Sequence, residues 1–117
     1  MFQQLNEILL SYPSVDYEYK VEWQMHLYRI GGKIFAEIGN DKSGLSILTV
    51  KLEPAMSELL RQQYPGRIVP GYYCNKTHWS SAAMDGSVPM EILRMMMDSA
   101  YHLVRTSLSQ KLQASLG

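Results

Sequence analysis

The chain has 117 residues, with 11 Lys plus Arg against 11 Asp plus Glu and a formal net charge of zero; the pI falls near 6.8. With 46% apolar and 19% charged residues the composition is that of a folded protein and excludes a disordered chain. Dedicated nucleic-acid-binding domains usually carry a pI above about 9, so overall charge counts against that class.

The length fits one domain over residues 1–117, and a chain of this size buries roughly 65% of its unfolded surface, enough for a core without metal or disulfide staples. No apolar run is long enough for a membrane span, and no basic segment followed by an apolar stretch opens the chain. A lone cysteine, Cys74, makes no internal disulfide and agrees with a reducing compartment. The expectation is a cytoplasmic monomer without a membrane partner.

The first element is a short amphipathic helix from Phe2 to Leu10, with Phe2, Leu5, Ile8 and Leu9 at helical spacing, ended by Tyr12-Pro13. From Glu22 to Ile30 the pattern turns to period two, with Trp23, Met25 and Leu27 on one side and Gln24, His26 and Tyr28 on the other. Gly31-Gly32 supplies a tight turn into a second alternating stretch, Lys33 to Gly39. A two-residue turn sets Tyr28 opposite Phe35 and His26 opposite Glu37 on an exposed face, with Leu27 facing Ala36 and Met25 facing Ile38 on the buried one.

Leu45 to Leu52 reads as a third strand, with Leu48, Val50 and Leu52 on one face and Lys51 pointing away. Glu53-Pro54 starts a helix carrying Met56, Leu59 and Leu60 on one side until Tyr64-Pro65 stops it. Arg67 to Val69 reads as a short strand ended by Pro70-Gly71, and Trp79 to Met84 as a fifth strand ended by Asp85-Gly86. From Pro89 to Leu108 a stripe of Leu93, Met96, Met97, Ala100, Leu103, Val104 and Leu108 marks a long helix that should cover the sheet. The order predicts an α+β fold with an antiparallel sheet of about five strands packed by helices.

Between Leu59 and Met84 there is no Asp or Glu, while Arg61, Arg67, Lys76 and His78 occur. The centre of this stretch, residues 70–79, mixes aromatic faces, amide and hydroxyl donors and an ammonium, the residue types that hold phosphates and stack on bases. The competing reading is a loop that packs Tyr72 and Trp79 on the core and leaves Lys76 in solvent. Four cations that each neutralised a phosphate would give a salt slope of roughly −3 to −4.

Catalytic constellations find little support. Cys74 and His78 invite a nucleophile-and-base reading, but nothing nearby supplies an oxyanion hole or an orienting acid. His26, His78 and His102 lie on different elements without zinc-ligand spacing, and the carboxylates are scattered, so neither metal nor cofactor is expected. His26 with Glu37 reads as a cross-strand pair, and His102 as an i,i+4 partner of Asp98. Of Met95, Met96 and Met97, two fall on the apolar stripe and read as core.

The motifs Gly31-Gly32-Lys33-Ile34-Phe35-Ala36, Lys51-Leu52-Glu53-Pro54, Leu60-Arg61, Tyr64-Pro65, Pro70-Gly71-Tyr72, Asn75-Lys76, His78-Trp79, Asp85-Gly86 and Ser99-Ala100-Tyr101 with Leu103-Val104 together resemble the MmcQ/YjbR-like family of small bacterial proteins. The resemblance covers nearly the whole chain and implies a double-wing, CyaY-like fold, often labelled DNA-binding. The chain departs from the family at Tyr73, Cys74 and Thr77, where histidine, methionine and a basic residue respectively are common.

The reading that follows is a non-enzymatic protein with a surface for DNA or another polyanion. Lys51, Arg61 and Lys76 would neutralise phosphates, Asn75 and His78 donate hydrogen bonds, and Tyr72 and Trp79 offer flat faces. The alternatives are a site for a small anionic metabolite or phosphopeptide, and a protein-interaction adaptor using an edge strand or an exposed Tyr28 and Phe35 pair.

Overall fold

In the computed structural model, which describes residues 1–71 and 75–116, the chain runs α1 (Phe2–Ser11), β1 (Val15–Lys20), β2 (Met25–Ile30), β3 (Lys33–Asn40), β4 (Ser46–Lys51), α2 (Pro54–Gln63), β5 (Ile68–Pro70), β6 (Trp79–Ala83), α3 (Met90–Ser107) and α4 (Gln110–Ser115). The strands make one antiparallel sheet in the order β1-β2-β3-β4-β6-β5. The α+β class expected from the sequence is the class observed.

The described part holds six strands and four helices where five and three are expected. The added strand, Val15-Asp16-Tyr17-Glu18-Tyr19-Lys20, carries a period-two signal, but it is an edge strand with charged residues at every second position, so its alternation does not mark a buried face. The strand expected from Glu22 begins at Met25. Trp23 and Gln24 instead form a turn closed by hydrogen bonds from their backbone N–H groups to the carbonyls of Lys20 and Val21. The last helix, α4, is too short and too polar to announce itself by periodicity.

The helices cover one face of the sheet, called here the inner face. There Leu5 and Leu9 of α1, Leu60 of α2 and Leu93, Met96, Met97, Ala100, Tyr101 and Val104 of α3 pack with Tyr28, Ile30, Phe35, Ala36, Ile38, Leu48, Val50 and Ala82. Proline at the first position of α2 is tolerated because that N–H has no intrahelical partner. Leu59, expected on the packed side of this helix, is 54% exposed, and Ser57 and Leu60 are its buried residues.

The β2–β3 hairpin turns at Gly31 and Gly32, whose φ of +58° and +82° are the left-handed values such a turn needs. Its register departs from expectation. A bulge at Phe35 shifts the pairing, so that Tyr28 faces Ala36, Leu27 faces Glu37 and His26 faces Ile38. Phe35 and Ala36 therefore both enter the core, and Phe35 meets Tyr101 edge to face at 5.5 Å between ring centroids. The exposed Tyr28 and Phe35 pair does not exist, since each ring is 0% exposed. Nor do His26 and Glu37 stand opposite one another.

On the outer face, the registers line up Glu18, Leu27, Glu37, Thr49, Ser81 and Val69 in one row across all six strands. The middle of this row is buried, Glu37, Thr49 and Ser81 included. Both faces of the central strands are thus out of solvent.

Candidate cationic surface

The sequence-predicted residues gather where β4 ends and β6 begins. Lys51 stands directly opposite Trp79 in the β4–β6 ladder, two residues beyond Thr49 and Ser81 on the outer face, and the Leu52 N–H donates to the His78 carbonyl at 2.8 Å. The turn before β6 is shaped by Asn75. Its side-chain oxygen accepts from the N–H groups of Thr77 at 2.9 Å and His78 at 3.3 Å, and its carbonyl accepts from the Trp79 N–H. Asn75 holds Lys76, Thr77 and His78 on an exposed arch.

Gly71, just past β5, allows a close approach to Trp79 at the end of this arch. Its N–H donates to the Trp79 carbonyl at 2.7 Å, and a Cβ there would lie 2.6 Å from the Trp79 Cβ and 3.0 Å from its carbonyl oxygen. Tyr72 and Cys74, with the proposed stacking face and thiol, lie outside the described residues.

Arg61 comes to this region from behind, off α2. Its guanidinium donates to the carbonyls of Lys76 at 2.8 Å and Trp79 at 2.9 Å, and to the Ser80 hydroxyl. Ser80 in turn donates to Ser57 at 3.0 Å, and both serines are buried. A half-buried guanidinium on backbone carbonyls is a strut that places a positive charge behind the arch, and among the described residues it forms no ion pair. Sequence reasoning singled out the arginine but missed its two serine partners, which small hydroxyls in an apolar strand and on a helix face could have signalled.

The remaining cations differ in their company. Arg67 lies 3.8 Å from Asp85, whose carboxyl is held below its ordinary pKa by the Ser87 hydroxyl and backbone N–H and by Arg67 itself. Among the described residues, Lys51, Lys76 and His78 form no ion pair. Lys76 and His78 are exposed, while Lys51 and Trp79 are half-buried. The arrangement brings two lysines, a histidine and a half-buried tryptophan to adjoining backbone segments beside a half-buried guanidinium, a set of groups that suits an anion.

Elsewhere, the expected His102–Asp98 pair is replaced, because Asp98 accepts a hydrogen bond from the Tyr12 hydroxyl. Burial, then that bond, holds the Tyr12 hydroxyl well above the usual tyrosine pKa. Met96 and Met97 are core, and Met95 is exposed. A shallow groove of about 410 Å³ lined by Gln4, Glu7, Ile8, Ser11, Met90 and Arg94 shares no residue with the cationic cluster. Among the described residues no group of three or more His, Cys, Asp and Glu side chains could hold a metal ion, and no helix is long and apolar enough to cross a membrane.

The chain is similar to several bacterial proteins. The uncharacterised Escherichia coli O157:H7 protein YbdF is 30% identical over 104 residues, covering 89% of this chain and 84% of its own length. The uncharacterised protein YjbR of Escherichia coli K12 is 26% identical over 98 residues, covering 84% and 81%. Among solved structures, Deinococcus radiodurans protein DR2400, a DUF419 domain, superposes with a TM-score of 0.90 at 25% identity over all of this chain and 88% of that one. A Pseudomonas syringae protein superposes with a TM-score of 0.73 at 18% identity, over 86% of this chain and 96% of its own, which extends the likeness of fold. The family model described as YjbR matches residues 10–103, and the chain belongs to the YjbR family.

Proposed function

We propose that this protein is a non-enzymatic binding module whose arch at residues 75–79, with Lys51 beside it, holds a phosphate-bearing polymer, DNA being the first candidate. The observation that supports this reading is the backbone adjacency of Lys51 to an arch that carries Lys76 and His78 and is held by Arg61, the arch lying in a stretch from Leu59 to Met84 that contains no acid. Lys51 and Lys76 supply point charges for phosphate oxygens, His78 a hydrogen bond, and Trp79 an apolar edge beside the strand end. No bond is made or broken.

Fluorescence anisotropy with labelled duplex DNA, at low and then moderate salt, tests this directly. Saturable binding that weakens with salt is expected, and its absence at low salt rejects the reading. The overall neutrality of the chain favours a second reading, in which one or two phosphates of a small anion occupy the same residues. Nucleotides or polyphosphate would then raise the melting temperature where DNA does not, because a ligand bound to the native state stabilises it.

A further inference from the structure

β1 is an edge of the sheet, guarded by charge alone, through Asp16, Glu18 and Lys20. Its six residues contain no Pro or Gly and pair with β2 without a register shift. Asp16 to Tyr19 are all exposed. Proteins ordinarily blunt such an edge, because its free N–H and C=O groups are a template for another strand. Apolar side chains gather here as well. Of the ten large apolar residues exposed among those described, Met1, Phe2, Tyr17, Tyr19, Val21 and Trp23 belong to this end of the molecule.

We propose that two copies of this chain pair through β1, antiparallel and centred on Glu18, in place of the expected monomer. A two-fold axis through Glu18 sets Asp16 of each copy against Lys20 of the other and Tyr17 against Tyr19. The opposite-charge contact thus occurs twice, and the aromatic pairs extend the inner-face group in which Tyr17 and Tyr19 lie against His26, with ring centroids 5.9 and 4.7 Å from its ring. The two Glu18 carboxylates meet at the axis. Each already accepts from Arg29 at 2.8 Å, and that bond holds its pKa below the ordinary value, so the centre is an alternation of charges and not a bare repulsion.

Other registers are poorer. Sliding by two residues one way sets Asp16 against Glu18 twice with no opposite charge gained, and like charges directly opposite destabilise a sheet. Sliding the other way sets Glu18 against Lys20 but confines the paired strand residues to Glu18 through Lys20 and brings Asp16 against Glu22 just beyond the strand. Self-complementary contacts of this kind close a dimer and stop there. β4 and β6 lie three and four strands from β1, so the pairing leaves the cationic arch open, and the fate of the dimer is independent of the anion-binding reading.

Sedimentation velocity across a wide range of protein concentration tests the dimer and its register together. The unmodified chain is expected to dimerise. Asp16→Lys and Lys20→Asp should each weaken the dimer by roughly tenfold or more, since two attractive pairs become repulsive. An equimolar mixture of the two single variants should restore association, as should the double swap in one chain, because both recreate opposite charges at positions 16 and 20. Circular dichroism establishes that each variant is folded, and the mixture provides its own check. A chain that stays monomeric at every concentration overturns the proposal, and so does a dimer indifferent to the swaps or not rescued by mixing.

Discussion

Arg61 shows how one residue type serves two ends. A guanidinium in an acid-free stretch reads as a phosphate contact, but here it donates to two backbone carbonyls and a buried hydroxyl, so its work is to position the arch. Arg61→Met leaves those acceptors unsatisfied and should cost about 1 to 3 kcal/mol of stability. Lys76→Ala should cost under about 0.5 kcal/mol while weakening anion binding more. Urea melts alongside anisotropy separate the two, and an Arg61 variant of full stability would contradict the strut. The residue types of this cluster were legible in the sequence. Their division of labour was not, because it depends on which carbonyls face α2.

His26 carries a pH dependence of its own. Desolvation against Phe2, Tyr17 and Tyr19 lowers its pKa from the ordinary 6.5, and the Tyr17 hydroxyl lies 2.6 Å from Nδ1. The folded state favours the neutral ring, so the unfolded chain binds the extra proton. The stability this supplies is full above about pH 6.5 and is lost as pH falls below it. Thermal melts from pH 7.5 to 5 should show that slope in the unmodified chain and less of it in His26→Phe. Equal slopes in the two proteins would show that this ring is not their source.

At the scale of elements, the β2–β3 hairpin was legible because Gly31-Gly32 sits between two alternating stretches and turn chemistry is local. Its bulge was not, since the shift at Tyr28/Arg29 follows from Phe35 turning inward to meet Tyr101 and Tyr12, partners far along the chain. The same turn also supports the C-terminal segment. A Cβ on Gly31 would lie 2.6 Å from Leu108 and 3.2 Å from Leu112, whereas Gly32 has open space around it. Both have positive φ, so alanine strains either by about 1 kcal/mol, but Gly31→Ala must also displace Leu108 and the start of α4. It should therefore be the more destabilising by about 1 kcal/mol, as denaturant melts of the two variants would show. Equal losses would mean that α4 yields freely.

At the scale of the whole molecule, charge decides how strongly any polyanion can be held. Counting the cations of the acid-free stretch gives four, but Arg61 is spent on carbonyls and Arg67 lies beside Asp85. Lys76 and His78 remain of these, joined by Lys51 from β4, so the logarithm of the binding constant should fall with that of salt at roughly −2 to −3. A slope steeper than −4 in the anisotropy titration would mean that a different, larger surface is in use. By itself the sequence determined the fold class, most of the element order, the helical core stripe and the cationic stretch, because propensity, turn chemistry and periodicity act over a few residues. Tertiary structure decided that β1 exists as an open edge, that Tyr28 and Phe35 are core, and that Arg61 is a strut. Each of those outcomes depends on partners distant in the chain, whose approach is set by packing and by the need to satisfy buried polar groups.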